Sequence, residues 1–519
     1  MITLIRAPTL GNKNNWMQSS LPPLGLAYLA ASLKQAGFNP RVIDAVGEGI
    51  EQFSLFEKVP ETMRHGLSNQ EIISRIPLDE KIIGVSCMFS QDWTLCRDLI
   101  NDIRKRFPSA YIIAGGEHIT SMYEYSLSDC PSLDCCVLGE GEETIVELVE
   151  AKRGSKVLEN IQGITYRVSE GIRVNPRRAR IKGISEIPWP EWGLFPLKAY
   201  FDAGMQFGVG SGISMPVLAS RGCPYLCTFC SSPQMWGTRW EPRLPEELLD
   251  EIEFYMDQYN AVNFDFFDLT AIIKKDWIVA FSKLIFQRGL KINYELPVGT
   301  RSEALDDESL GLLYESGCNH IGYAPESWSD ETLKLIKKKI KKERMFKSIN
   351  SALEKKMVVK ASFVVGFPHE SVRHLLANVP ILIRLAFIGT HGVAINLFSP
   401  YPGSELFESL KKEGKLIVSD NYFHSLVRSC GLGASLSYSD HFSNKKLAIY
   451  SFSLLALFYS LTFIFRPNHF VSMLLSLFRE KPTNRLEKAL GKVIARRQLF
   501  KKSIEEQVTS QSVNATNSK

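Results

Sequence analysis

Disulfide-scale cysteine, an excess of charge of either sign and early apolar runs are all missing from this chain of 519 residues. Ten cysteines are too few for a disulfide scaffold. A balance of 61 Lys and Arg against 56 Asp and Glu leaves a net charge of +5, which on this length gives no sign of a nucleic-acid partner. The first residues, Met1-Ile-Thr-Leu-Ile-Arg-Ala-Pro, hold no run long enough for a signal peptide, so a reducing cytosol is the expected compartment. Thiols there are free to bind metal. A hydrophobic share of 45% with 23% charged residues excludes a disordered or collagenous chain, and the length predicts about three domains.

Short β-branched or apolar runs alternate with helix-period stretches from the start: Met1 to Ile5, Arg41 to Asp44, Ile82 to Ser86, Tyr111 to Ala114 and Cys135 to Leu138. This pattern predicts a parallel, doubly wound sheet in residues 1–180, closed by a hairpin over Gly163 to Val174. Ile187-Pro-Trp-Pro-Glu-Trp disfavours helix and marks a linker over 181–213. A second series spans 214–415, with strands expected at Val217 to Ser220, Val262 to Phe267, Lys291 to Leu296, His320 to Ala324, Val358 to Val365 and Val393 to Leu397. Six such units read as a partial β/α barrel. Chemistry in barrels sits at the C-terminal strand ends, here Cys223, Asp268, Arg301, Glu326, Gly366 and Ser399. Residues 416–502 read as a helical, apolar and then basic region, and 503–519 as a disordered tail.

Directly after the first barrel strand, Arg221-Gly-Cys-Pro-Tyr-Leu-Cys-Thr-Phe-Cys spaces three thiols as Cys-x3-Cys-x2-Cys. Three thiolates on one short loop suit three irons of a [4Fe-4S] cube and leave the fourth iron open for substrate. The alternative is zinc, which wants a fourth ligand, and the nearest histidine is His320. With Cys223, Cys227, Phe229 and Cys230 in place, the loop resembles the Cys-x3-Cys-x-aromatic-Cys loop of the radical S-adenosylmethionine superfamily. The resemblance implies that the open iron chelates S-adenosylmethionine, which one electron cleaves to methionine and a 5'-deoxyadenosyl radical. It also implies that Phe229 contacts the adenine and that Asp268, Glu326 and Gly366-Phe-Pro line the cofactor. Read from the residues alone, Asp268 and Glu326 equally suit strand-end carboxylates that cap helices.

In the first domain, Pro22-Pro23-Leu-Gly opens a helix, Ser86 ends a strand, Gly115-Gly116 follow another, and Gly139-Glu140-Gly-Glu-Glu-Thr follows the next. Each motif also suits an ordinary turn. Together they resemble the cobalamin-binding domain fused ahead of the barrel in one large radical S-adenosylmethionine subfamily, so the family resemblance covers about residues 1–410. It implies Pro23, Ser86, Gly115, Gly116 and Glu140 as cobalamin-binding residues. Where other cobalamin proteins carry a histidine ligand in Asp-x-His-x-x-Gly, this chain has Asp44-Ala-Val-Gly-Glu-Gly49. Val46 cannot ligate cobalt, which implies histidine-off cobalamin, the alternative being a domain that no longer binds.

Leu447 to Phe465 carries no charge, and nineteen residues at about 1.5 Å rise would span roughly 28 Å. A single pass would separate the barrel from the basic stretch Arg479 to Lys502, both of which belong on the cytoplasmic side. Asn468 to Phe478 is too short to return, and Arg466-Pro467 breaks the two pieces apart. The favoured reading is a helix pair in the membrane interface, held by Arg485, Lys488, Lys492, Arg496 and Arg497. The alternatives are a buried helix on the barrel's open side and a span. Lys337-Lys-Lys-Ile-Lys-Lys reads as a solvated helix face, and the other seven cysteines as packing or inert thiols.

The sequence is thus expected to encode a cobalamin-dependent radical S-adenosylmethionine methyltransferase acting at an unactivated carbon of a hydrophobic or lipid-like substrate. Family resemblance implies radical hydrogen abstraction, methyl delivery from methylcobalamin, and electrons from a flavodoxin or ferredoxin. The alternatives are an oxidative cyclase or ring-rearranging enzyme of the same cofactor set, and a non-catalytic cobalamin or redox sensor. The expected location is cytoplasmic, at the inner face of the membrane.

Overall fold

A computed structural model describes residues 2–12, 21–59, 62–205, 212–271, 273–301, 304–429, 436–468 and 471. The basic stretch Arg479 to Lys502, the tail 503–519, Cys430 and nearly all of the second apolar piece lie outside the described residues.

Seven strands build the first sheet: β1 (Ile2–Arg6), β2 (Pro40–Asp44), β3 (Ile82–Ser86), β4 (Tyr111–Gly115), β5 (Cys135–Val137), β6 (Ile164–Val168) and β7 (Gly171–Val174). Their order is β7-β6-β5-β4-β3-β1-β2, parallel except at the β5, β6 and β7 edge. The central strands are buried along nearly their whole length, as strands covered on both faces must be. Helices α1 (Leu24–Gln35), α2 (Glu117–Asp129) and α3 (Glu142–Lys152) provide part of that cover. The order in which strands are added reverses between β1 and β3, which run parallel. Their carboxyl ends therefore flank the crevice that open α/β sheets leave for a ligand. Three short antiparallel strands, Thr9–Asn12, Phe53–Leu55 and Thr62–His65, form a small extra sheet. At three or four residues each they are too short to show a period in the sequence.

The second sheet holds six parallel strands in chain order: β8 (Ile213–Val217), β9 (Ala261–Phe266), β10 (Asn293–Thr300), β11 (Cys318–Glu326), β12 (Val358–Val365) and β13 (Gly392–Leu397). This is the expected open barrel, with corrections to two strands. The first lies four residues earlier than Val217 to Ser220, because Ser220–Arg221 leaves the sheet to pair with Glu241–Pro242, and the third runs to Thr300 rather than ending at Leu296.

The C-terminal region splits between the two sheets. Helix α4 (Val379–Ile388) belongs to the barrel, whereas α5 (Asp420–Ser429) returns to the first domain, where Asp420 takes both ends of the Arg97 guanidinium at 2.9 and 2.7 Å. Helix α6 (Asn444–Phe465) runs along edge strand β13 and α4, burying Leu447, Ser451, Leu454, Phe458 and Thr462 at helical spacing. Ser451 Oγ donates to the Ile395 carbonyl at 3.3 Å, and Arg466 to that of Ile388 at 2.9 Å. Covering an edge strand in this way removes a site of unwanted pairing. Of this helix, Leu454 and Phe458 face the barrel while Ile449, Phe452 and Ile464 stand exposed, so it is neither wholly buried nor free of the barrel.

Phe458 is fully buried and Phe452 is 59% exposed on the same helix. We expect Phe458→Ala to destabilise the protein by about 3–5 kcal/mol, from lost burial and the cavity left behind, and Phe452→Ala by no more than about 0.5 kcal/mol. Urea-unfolding midpoints of the two variants check this ranking, and equal midpoints would contradict the packing of α6 on β13.

Candidate functional site

The cysteine loop starts where Ser220–Arg221 peels off the barrel. Gly222 has φ +86°, and a Cβ there would stand 2.3 Å from the Arg239 carbonyl oxygen, so only glycine lets the loop begin at this angle. Loop backbone is tied to the barrel at both sides, with Thr228 N–H donating to the Ile336 carbonyl at 3.1 Å and Leu406 N–H to that of Thr228 at 2.9 Å. Cys223, Cys227 and Cys230 are all half-buried. Burial pushes the Cys230 thiol up to about 12 and raises Cys227 as well, so a metal must displace their protons on binding. Among the described residues no three His, Cys, Asp or Glu side chains close on a single ion, the geometry that tetrahedral zinc requires. Three soft donors on one anchored loop fit a cube, whose thiolates each hold a different iron.

Around the loop, Phe229 stacks at a tilt on Phe367, with ring centroids 5.6 Å apart, and the Arg301 guanidinium lies 3.6 Å over the Tyr225 ring. Asp268 points back under the loop: fully buried, it accepts from Ala219 N–H at 3.0 Å and Ser220 Oγ at 2.5 Å. It positions the turn into the cysteines. Glu326 ends β11 with φ +60°, a left-handed conformation costly for a residue with a side chain. Its carboxylate meets Lys338 Nζ at 3.0 Å, with both side chains nearly buried. The run Lys337 to Lys342 is therefore not the expected solvated helix face. Residues 336–341 form a connection at the barrel mouth, and the Lys338 charge there works against the upward shift of Cys227. At Gly366, φ is +89° and the direction a Cβ would take is filled by Leu447 of α6 at 2.4 Å, so this side faces the C-terminal helix. Glu370, fully buried, accepts from Gly366 and Phe367 N–H at 2.6 and 3.2 Å. Burial pushes that carboxyl up to about 7.

In the first domain, Arg6, Ser86 and Gly115 stand in register at the carboxyl ends of β1, β3 and β4. Gly116 (φ +118°) lets the turn approach the Cys87 carbonyl, where a Cβ would come within 2.4 Å. Gly115 is different. A Cβ there would meet nothing closer than 3.7 Å, and at Gly25, just inside the helix that Pro23 caps, nothing within 4 Å. These open positions beside the switch point fit a bulky ligand. The stretch from Asp44 is closed instead: Val46 is fully buried against Tyr200 and Met205, and Asp44 accepts from the Tyr200 hydroxyl at 2.7 Å. Val46 thus presents no open face to a ligand.

Glu140, just past β5, is turned toward the barrel. Its Oε1 meets the Arg221 guanidinium at 3.2 Å and its Oε2 accepts from Ile181 N–H at 2.8 Å, while Glu142 holds the other side of Arg221 at 2.6 Å. Arg221 packs over Tyr28 and Trp236, at 5.0 and 5.9 Å from the ring centroids. Burial opposes its charge, but the Glu142 and Glu140 carboxylates outweigh that and raise its pKa. Glu117, next after Gly116, accepts a short hydrogen bond from Ser231, the neighbour of Cys230. Two carboxylate bridges therefore tie the glycine turns of the first domain to both ends of the cysteine loop. Sequence reasoning missed Arg221, Glu142, Glu117, Lys338 and Glu370; only Arg221, adjoining Gly222-Cys223, carried a signal.

Two family models match the chain, the B12 binding domain over residues 17–149 and the Radical SAM superfamily over residues 217–378. An uncharacterized methyltransferase of Pyrococcus horikoshii is 29% identical over 409 residues, 78% of this chain and 82% of that protein. The anaerobic magnesium-protoporphyrin IX monomethyl ester cyclase of Cereibacter sphaeroides is 25% identical over 410 residues, 78% of this chain and 62% of that protein. The same fold occurs in the radical S-adenosylmethionine methyltransferase TsrM of Kitasatospora setae, solved with cobalamin and a [4Fe-4S] cluster bound (TM-score 0.64, 15% identity, 97% of this chain and 99% of that one). The chain belongs to the radical S-adenosylmethionine enzymes that carry a B12-binding domain, and its cofactors are a [4Fe-4S] cluster, S-adenosylmethionine and cobalamin.

Burial pushes the Asp268 carboxyl from 3.8 up to about 6, against hydrogen bonds from Ser220 and Ala219. The folded protein thus holds a proton that the unfolded chain has released between these values, and stability falls as pH rises through this window. We expect wild type to lose on the order of 3 kcal/mol from about pH 4 to 6 relative to Asp268→Asn, with a constant difference above. Urea unfolding of both proteins across the window checks the sign, and parallel pH profiles would contradict it.

Proposed function

We propose that this enzyme is a cobalamin-dependent radical S-adenosylmethionine C-methyltransferase acting at an unactivated carbon of a hydrophobic substrate. The observation that carries the reading is the pair of bridges, Glu140–Arg221 and Glu117–Ser231, that set the cobalamin-binding domain directly against the cysteine loop. When bound, the cluster and S-adenosylmethionine supply a hydrogen-abstracting radical, and cobalamin supplies a transferable methyl group.

In this reading Cys223, Cys227 and Cys230 hold the cluster, and Phe229 contacts the adenine. Lys338 offers a cation near Cys227 for the S-adenosylmethionine carboxylate, with Glu326 keeping that ammonium from turning to solvent. Asp268 and Glu370 act one layer out, fixing the turn into the loop and the Gly366-Phe367 backbone. Pro23, Ser86, Gly115 and Gly116 shape the cobalamin crevice, while Glu140 joins it to the barrel. The domains run 1–180, 181–213 and 214–415, followed by 416–502 and the tail 503–519. A flavodoxin or ferredoxin delivers electrons in the cytoplasm, with the enzyme peripheral on the inner face of the membrane.

The test is anaerobic incubation of the reconstituted protein with membrane and lipid extracts. A methyltransferase yields a product heavier by one CH2, with S-adenosylhomocysteine and 5'-deoxyadenosine formed alongside. A product of unchanged carbon count would favour cyclisation, and absence of 5'-deoxyadenosine would favour a sensor. Replacing all three loop cysteines by alanine should abolish iron absorbance and 5'-deoxyadenosine formation, whereas retained iron would contradict their assignment.

A further inference from the structure

Half of α6 packs on the barrel and the other half has no cover among the described residues. Ile449, Phe452 and Ile464, 65, 59 and 70% exposed, fall on the face opposite Leu454 and Phe458. Helix α4 alongside adds Ile383 and Phe387, the latter 67% exposed and meeting Phe465 edge-on with ring centroids 5.5 Å apart. Soluble surfaces seldom gather this much large apolar side chain in one place. The helix is long and apolar enough to cross a bilayer, yet Leu447 against Gly366, Ser451 on the Ile395 carbonyl and Arg466 on that of Ile388 hold one side of it to the barrel, which leaves its other side to meet a bilayer.

Charge indicates what covers this face. Lys445 and Lys446 open α6, both exposed, whereas Arg384 on α4 is turned away onto Phe346 and Glu343. Residues 472–519 hold ten Lys and Arg against four Asp and Glu, an excess greater than the net +5 of the whole chain. The rest of the protein is slightly acidic. Folding the following segment back over the patch would leave that positive charge without a matching acidic surface, whereas anionic headgroups match it and acyl chains take the apolar residues.

We propose that the outward face of α6, together with α4, docks side-on on an anionic phospholipid bilayer, with Ile449, Phe452, Ile464 and Phe387 entering the headgroup boundary and Lys445 and Lys446 meeting lipid phosphates. The proposal deepens the peripheral-membrane placement given above and rests on it, but its test involves no turnover, so a negative methylation assay leaves it intact. Barrel-facing Leu454 and Phe458 take no part, which separates this docking from an inserted helix pair.

The test uses the full chain with two kinds of vesicle, phosphatidylglycerol mixed with phosphatidylcholine, and phosphatidylcholine alone. The protein should sediment with the first, and salt should weaken that binding without abolishing it. The indole emission of Phe452→Trp should shift to the blue on adding these vesicles and be quenched by brominated lipid. The double variant Phe387→Glu and Phe452→Glu should bind at least about tenfold more weakly with its urea midpoint unchanged, since charged side chains are excluded from that boundary. Should the double variant fail to fold, the indole measurement still decides. Failure of wild type to bind anionic vesicles, or binding that leaves the indole emission unchanged, would overturn the proposal. An indole already blue-shifted and shielded without lipid would overturn it in favour of cover by the chain's own segment or by a second copy.

Discussion

Arg221 is a cation at 6% exposure with two carboxylates from another domain closed around it, and much of the structure depends on it. A buried guanidinium is tolerable only while its partners stay in place, because losing one leaves an unpaired charge out of water. The next residue is Gly222 and the one after is Cys223, so whatever fixes Arg221 fixes the start of the cysteine loop. Glu140 and Glu142 come from the turn that opens α3, just past β5 of the first sheet. The register of one domain on the other is thereby written into a single ion cluster, backed by the rings of Tyr28 and Trp236. At the far end of the loop, Glu117 and Ser231 repeat the arrangement with a neutral donor.

Helix α5 reinforces the same side of the first domain. Asp420 grips Arg97, His424 meets Thr94 Oγ1 at 3.1 Å and Phe423 meets the ring of His118, the neighbour of Glu117, edge-on, so the chain leaves the barrel, fastens the segments that follow β3 and β4, and returns as α6 to close β13. The two domains are held together by the carboxylate bridges and by this helix beside them. A radical generated at one cofactor site and a methyl group held at the other call for such a fixed separation, since reacting atoms must meet in a defined geometry.

Both sheets were legible in the sequence because buried parallel strands read as continuous apolar runs: Ile82 to Ser86 and Val358 to Val365 appear at their observed limits. The cysteine loop was legible because its spacing has few competing uses. The buried partners of Glu140 and Lys338 were not legible for one reason. Each sits in a motif whose composition suggests solvent or a ligand, and only the fold shows that a partner of opposite charge faces it. At Val46 the sequence did not reveal that Tyr200 and Met205 close over it. For α6, hydropathy could not separate a membrane-facing stripe from a barrel-facing one, because both are apolar and their difference lies in what stands opposite.

The central claim, that the cobalamin domain and the cluster loop form one rigid unit through Arg221, is tested most directly by electron paramagnetic resonance of protein loaded with both cob(II)alamin and the reduced cluster. The account predicts magnetic coupling between the two centres in wild type, weakened and broadened in Arg221→Ala at unchanged iron and cobalamin content. Spectra that are the plain sum of two isolated centres in wild type, or coupling untouched by Arg221→Ala, would contradict it.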